Sequence, residues 1–297
     1  MRFGAHLSIA KGLPALLANA DELGATAIQI FARNPRGRGE TKVTAAEAAE
    51  FRKELKRRNA KLYIHAPYYV QVGAADARNR RIAAEVAAAD LVKGDLLGAE
   101  GVVVHFGGSV DEADPDPSTE RTVQTIKRAL KKAGRTRCRL LLEVSAGRKR
   151  VGATFEQIRA VLDGVGEPRR LGVCLDTCHL FTAGFDIRGT GATKMLDRFA
   201  KVVGLRKLGA VHLNDTQSDL GGGLDRHFHI GQGQIGETAF RNLLRDPRLK
   251  DTDFMLETPK EGWGKSERLP KGKGAPPLEA DAKNLATLRR LAGPAAR

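Results

Sequence analysis

The sequence predicts an α/β chain closed into a (β/α)8 TIM barrel. Short β-rich runs alternate with longer helical patterns from one end to the other. Eight such pairs fit within 297 residues, the usual size of a closed parallel barrel. No glycine-rich dinucleotide fingerprint follows the first run. A doubly wound open sheet is the alternative, because alternation alone does not distinguish the two.

The strand runs are 1–6, 26–31, 62–65, 101–105, 139–144, 172–176, 208–214 and 253–257. Most are continuously apolar, as expected of parallel strands covered on both faces. Between them, 13–23, 45–58, 80–97, 118–133, 155–165, 192–203, 238–244 and 280–291 carry apolar residues at three- and four-residue spacing, the mark of a helix with one buried face. Thr44 with Glu47 makes a capping box, Ser118 is read as the cap of the fourth helix, and Gly24, Gly98, Gly134 and Gly204 stand where helices stop. No Pro/Ser linker divides the chain, so 1–297 reads as one barrel domain.

Composition narrows the function. The 50 basic residues against 35 acidic ones leave a net charge of +15, suited to a polyanionic partner such as nucleic acid. Cys138, Cys174 and Cys178 are too few and too oddly spaced for a disulfide framework and read as core residues in a reducing compartment. No apolar run approaches the ~20 residues of a membrane helix, so a cytoplasmic protein with no membrane partner is expected, and nothing in the sequence demands an oligomer, so a monomer is expected.

Chemistry gathers at the C-terminal ends of the strand runs. His65 (LYIHAP), His105 (VVVHFG), His179 (CLDTCH) and His212 (AVHLND) lie at or just beyond them, as do Glu143 (LLLEVS), Asp176 and Glu257 (FMLETP). In a barrel these ends converge on one mouth. Carboxylates projecting from apolar strands need a cation or donors, and no strand-end Arg or Lys stands beside these. Asp225 and His227 are two apart in a loop after the seventh run, so an extended backbone turns both to one side; His179 is a plausible third partner, which requires the chain to turn after Asp176. His229 and His6 read as supporting groups, with Asn214 orienting the surroundings of His212. Nine N/O ligands without thiolate suit Zn²⁺, Mn²⁺ or Fe²⁺ rather than Mg²⁺ or Ca²⁺. Nine exceed the need of one or two open catalytic ions; three ions, with one carboxylate bridging two, is the natural count.

These residues resemble the endonuclease IV family of apurinic/apyrimidinic endonucleases. The resemblance runs from Gly4-Ala5-His6 to Glu257 and is most specific in CLDTCH with AGFDIR, in HLND, and in DRHFHIGQGQIG from Asp225 to Gly236. It implies three Zn²⁺ ions: one on His65, His105 and Glu143, a second on Glu143, Asp176, His212 and Glu257, and a third on His179, Asp225 and His227. Glu143 and Glu257 would be the catalytic carboxylates. The implied reaction is hydrolysis of double-stranded DNA 5′ to an abasic site, leaving a 3′-hydroxyl and a 5′-deoxyribose phosphate. Arg36, Tyr68 and Arg226 would contact DNA, and loops 33–42, 214–236 and 260–279 would face it. The chain departs from the family's pattern at Gly37-Arg38, at Phe106-Gly107-Gly108, in VSAGRK after Glu143, and in a longer basic loop containing Trp263. A sugar isomerase or epimerase of the xylose-isomerase-like group is the rival reading, for which the Asp225/His227/His179 set has no purpose; a DNA-binding module without catalysis would not need nine ligands.

Overall fold

A computed structural model describes residues 1–35, 37, 39, 41–110, 116–260 and 278–293. Its elements follow in the order β1 (Arg2–His6), α1 (Leu13–Glu22), β2 (Ala27–Phe31), α2 (Ala45–Arg57), β3 (Lys61–His65), α3 (Ala77–Leu97), β4 (Gly101–His105), α4 (Asp116–Ala133), β5 (Arg139–Glu143), α5 (Phe155–Val165), β6 (Leu171–Asp176), α6 (Thr177–Thr182), α7 (Gly191–Val202), β7 (Leu208–His212), β8 (Asp215–Thr216), β9 (His227–Phe228), α8 (Glu237–Arg245), β10 (Asp253–Leu256) and α9 (Glu279–Ala292). Eight strands close a barrel in the order β1-β10-β7-β6-β5-β4-β3-β2, and β8 pairs with β9 outside it. Every barrel pairing is parallel, which settles the choice between barrel and open sheet.

The local signals act as their chemistry requires. Thr44 Oγ1 accepts from the Glu47 amide at 3.2 Å, while the Glu47 carboxylate accepts in return from the Thr44 amide at 2.7 Å. A second box, Thr154 with Gln157, starts α5. Two helix starts differ from the sequence reading by more than one residue. The third helix begins at Ala77, capped by Asp76. The fourth begins at Asp116, so Ser118 lies inside it, and its hydroxyl donates to the Ser109 carbonyl at 3.2 Å instead of capping.

Two apolar cores result. The larger lies between strands and helices, with Leu16, Ile28, Leu62, Ile64 and Phe240 among its members. The smaller fills the barrel itself: Ala27, Tyr63, Val103, Leu141, Cys174, Ala210 and Met255. It is built on a size complement. A β-carbon at Gly101, Gly172 or Gly209 would fall 2.7, 2.7 or 2.5 Å from the Leu141 side chain, so one leucine occupies the room three glycines leave. Below this layer the Tyr63 hydroxyl donates to Asp253 at 2.6 Å, and Arg2 pairs with the same carboxylate at 3.3 Å, closing the end opposite the strand C-termini. Cys138, Cys174 and Cys178 are free and buried. Among the described residues no helix is long and apolar enough to cross a membrane.

Leu141→Ala removes the side chain that fills this layer. We expect a loss of about 3 kcal/mol, the range of buried leucine truncations that cannot collapse, read as a lower denaturant midpoint of the chelator-treated protein. A change below about 0.5 kcal/mol, no more than a surface substitution gives, would show that the layer is not packed as described.

Candidate metal centre

In a strand, residues two apart share a face. Two positions beyond the seven residues that fill the barrel stand Gln29, His65, His105, Glu143, Asp176, His212 and Glu257. The packing layer and the polar layer above it are thus successive turns of one alternation, and six of the seven polar residues are those expected from the sequence. His6 holds the same relation to Gly4.

The side chains form three groups whose ligand atoms lie within 4.8 Å of one another. In the first, Nε2 of His65 and Nε2 of His105 each stand 3.2 Å from Glu143 Oε2. In the second, His212 Nδ1 is 2.9 Å from Glu143 Oε1, 3.2 Å from Glu257 and 3.7 Å from Asp176. Glu143 therefore offers one oxygen to each group. In the third, Asp225 Oδ1 lies 3.2 Å from His179 Nε2 and 3.1 Å from His227 Nε2. All nine sequence candidates meet here. A further grouping, Asp176 with Cys178 and His227, brings a thiol to the border of the third set.

Elements outside the eightfold repeat carry the third group. Asp176 ends β6 and caps α6, accepting from the His179 amide at 2.9 Å; this is the turn the sequence required, made by a helix it did not announce. His227 sits in β9, paired with Thr216. Asp225 and His227 converge, while Arg226 between them is exposed. The loop is fixed by Asp215, which is fully buried. Its carboxylate accepts from the amides of Thr216 at 2.8 Å, of Gly231, Gly233 and Ile235 at 3.0 Å each, and of Gly236 at 3.3 Å. Burial pushes the Asp215 carboxyl above its usual range even so.

Hydrogen bonds around the groups assign the imidazole tautomers. Nδ1–H of His65, of His179 and of His227 donates to the carbonyls of Ala66, Val144 and Glu257 at 2.6, 2.9 and 3.2 Å, leaving each Nε2 lone pair facing the groups. His212 is turned the other way: Nε2–H donates to Gln29 Oε1 at 2.9 Å, so Nδ1 faces the carboxylates. Gln29 also donates to Glu257 at 2.6 Å. It is the residue the sequence reading missed; a lone polar side chain at an inward position of AIQIF was its only signal. The Asn214 side chain makes its hydrogen bonds elsewhere than to His212. It donates to Asp176 at 2.7 Å and accepts from the Glu257 amide at 2.9 Å. His6 contacts Glu257 at 3.2 Å, and His229 is buried against Asn284 at 3.0 Å.

The charges are those of a cation site. Burial pushes Glu143 and Glu257 up, but facing imidazoles outweigh it and hold both carboxyls well below the usual range. Burial depresses His227, yet Asp176 and Asp225 bring it to about 9, and His179 and His212 are likewise raised: the carboxylates draw positive charge to these nitrogens, carried by a proton or, on the deprotonated ring, by a metal ion. Burial takes His6 down to about 4. Nε2 of His179 and of His227 is buried without a hydrogen bond. Convergent lone pairs without donors, beside charged carboxylates, fit a bound cation.

Around the mouth, Tyr68 is 60% exposed, with its ring 5.5 Å from Phe31. Its half-exposed neighbour Tyr69 donates to the Gly37 carbonyl at 3.4 Å. Arg36, Arg38 and Trp263 lie outside the described residues, as does most of 260–279.

The family model of the xylose isomerase-like TIM barrel matches residues 17–291. A relative from Methanoculleus marisnigri named probable endonuclease 4 is 36% identical over 98% of each chain. The crystal structure of endonuclease IV from Thermus thermophilus has a TM-score of 0.81 at 37% identity, covering 98% of each chain. A D-tagatose 3-epimerase-like protein has a TM-score of 0.63 at 21% identity over 87% of this chain and 91% of its own, a likeness of fold alone. With its barrel closed and its strand-end groups assembled, the chain belongs to the endonuclease IV family of xylose isomerase-like TIM barrels.

Proposed function

We propose that this chain is a zinc-dependent endonuclease that hydrolyses double-stranded DNA 5′ to an abasic site, leaving a 3′-hydroxyl and a 5′-deoxyribose phosphate. The observation that carries the reading is the third group, His179 with Asp225 and His227, set beside two groups that share Glu143. It rests on elements added to the barrel repeat, and isomerisation of a neutral sugar gives it no task. The net charge of +15 favours a polyanionic substrate in the same direction.

Three Zn²⁺ ions, replaceable by Mn²⁺ or Fe²⁺, would be held by His65, His105 and Glu143; by Glu143, Asp176, His212 and Glu257; and by His179, Asp225 and His227. The ions would supply Lewis acidity and neutralise charge on a phosphodiester. The chain's own residues do the positioning. Glu143 keeps two sites at a fixed separation. Glu257 is held by Gln29, His6 and the Asn214 side chain, so its carboxylate is ready to orient a water at the phosphorus. Arg226 and Tyr68, both exposed, would hold the backbone and the sugar face, with Arg36 contributing from the loop after β2. An abasic nucleotide has no base to unstack and leaves the duplex at low cost. A monomer suffices, and the three reduced cysteines are in keeping with the cytoplasm.

The deciding experiment is incision of a duplex carrying one abasic site, with an undamaged duplex as control, before and after metal stripping. Metal-dependent incision 5′ to the lesion alone is expected; no incision by protein containing three ions would remove the reading and direct the search to sugar phosphates.

The geometry also specifies how variants of the centre should behave. His105→Ala and Glu257→Gln should each lower incision at least about 1,000-fold, as loss of a group stabilising transition-state charge does, with circular dichroism unchanged; full activity in either would take that residue out of the centre. Asp215→Ala leaves five amides without their shared acceptor. It should cost about 3 kcal/mol of stability and release about one ion per chain by elemental analysis, the one on the loop it fixes. Retention of every ion would mean that Asp225 and His227 are held in place without this carboxylate.

A further inference from the structure

Three loops meet beside the third group through their glycines. They are 145–152 following Glu143, 183–190 following α6, and 217–224 preceding Asp225. A β-carbon on Gly147 would fall 3.1 Å from the Cα of Gly223, so the first and last of these backbones touch. The amides of Gly221 and Gly223 donate to Phe181 and Thr182 of α6, both at 3.0 Å. Arg148 lies across this junction. A β-carbon at Gly184 would stand 2.7 Å from both its Nε and its Nη2, and one at Gly221 would stand 3.2 Å from Nη2. Both glycines have positive φ, 102° and 73°, so the backbone there turns its bare face to the guanidinium.

Among the described residues, Arg148 has no hydrogen-bond or ion-pair partner. Arg188, on the second of these loops, is already committed to Asp186, at 2.8 Å through both Nε and Nη2. Arg148 is exposed and is followed by Lys149 and Arg150. The Nε–Nη2 edge of this guanidinium lies against Gly184, so what the exposed, carboxylate-free group offers a phosphate is its fixed positive charge and the N–H groups not covered by the glycines. The segments that seat it lead into or out of Glu143, His179 and Asp225.

We propose that Arg148 is a seat for a backbone phosphate of the bound DNA, on the rim beside the Asp225–His227 pair. This rests on the reading of the chain as acting on DNA. Such a contact fixes the register of the strand and carries no sequence or lesion information. Arg148 should therefore act equally on damaged and undamaged duplex.

The test is binding of fluorescent duplexes, with and without an abasic site, to metal-loaded wild type, Arg148→Ala and Arg148→Lys across a salt series. The alanine variant should weaken both duplexes about tenfold at 0.1 M salt and flatten the log Kd against log salt slope by about 0.9, the share of one phosphate. The lysine variant should keep the slope and recover only part of the affinity, because it retains the charge without the planar guanidinium that the glycines hold in place. Metal content and melting temperature on the same samples should match wild type, which separates loss of a contact from loss of fold. An alanine variant with wild-type affinity and slope overturns the proposal while leaving the endonuclease reading intact. A variant that changes only inhibition by inorganic phosphate assigns the seat to a free anion and overturns it as well. A wild-type chain that binds neither duplex sinks both readings together.

Discussion

Glu143 shows one carboxylate oxygen to His65 and His105 and the other to His212, and the rest of the centre is arranged around that division. The residue ends β5, directly above Leu141 in the barrel, so its height is set by how that leucine packs. Six neighbours at the mouth are set in the same way: Gln29, His65, His105, Asp176, His212 and Glu257 each stand two residues beyond a residue of the inner core. The packing of seven side chains in the middle of the barrel thus fixes where seven polar groups project at its mouth. A buried carboxylate among buried imidazoles is tolerable because opposite charges and lone pairs converge there. The same convergence, with Nε2 of His179 and His227 lacking donors, is what suits the place to cations.

The third group follows a different logic. His179 comes from a six-residue helix, His227 from a short ribbon and Asp225 from the loop just before it, none of which belongs to the eightfold repeat. The resemblance to a D-tagatose 3-epimerase-like protein is one of fold alone, and a shared barrel does not carry a shared reaction. The third group is built on additions to the eightfold repeat. They are held by the β8–β9 pairing and by hydrogen bonds to a few buried polar residues, Asp215 above all, rather than by the barrel's own strand ladder.

Much of this was legible in the sequence because strand ends are conspicuous. A histidine or an acid closing an apolar run, repeated around the chain, marks both the fold and its mouth, and the pairing Asp225-x-His227 marks one side of an extended loop. What escaped detection depends on closure. Gln29 is one polar residue inside a strand, and only the barrel brings it to His212 and Glu257. Asp215 collects amides as far along the chain as Gly236, and no local pattern announces that. Asn214 was expected beside His212 because it is near in sequence, but its amide reaches Asp176 and its oxygen accepts from the Glu257 amide. The helix α6 was hidden because TCHLFT is too short to show a period, and the capping by Asp176 that starts it uses a residue already assigned to the centre.

The single leucine that fills the room above three glycines has a consequence for how this barrel changes over generations. Gly101, Gly172 and Gly209 come from three different strands, yet they share one volume with Leu141. A larger residue at any of them is admissible only when position 141 shrinks, and a smaller residue at 141 leaves space for one of them to grow. The four positions, far apart in the chain, form one unit of covariation. Drift within that unit can exchange methylenes between strands while Glu143, two residues above, keeps its height at the mouth.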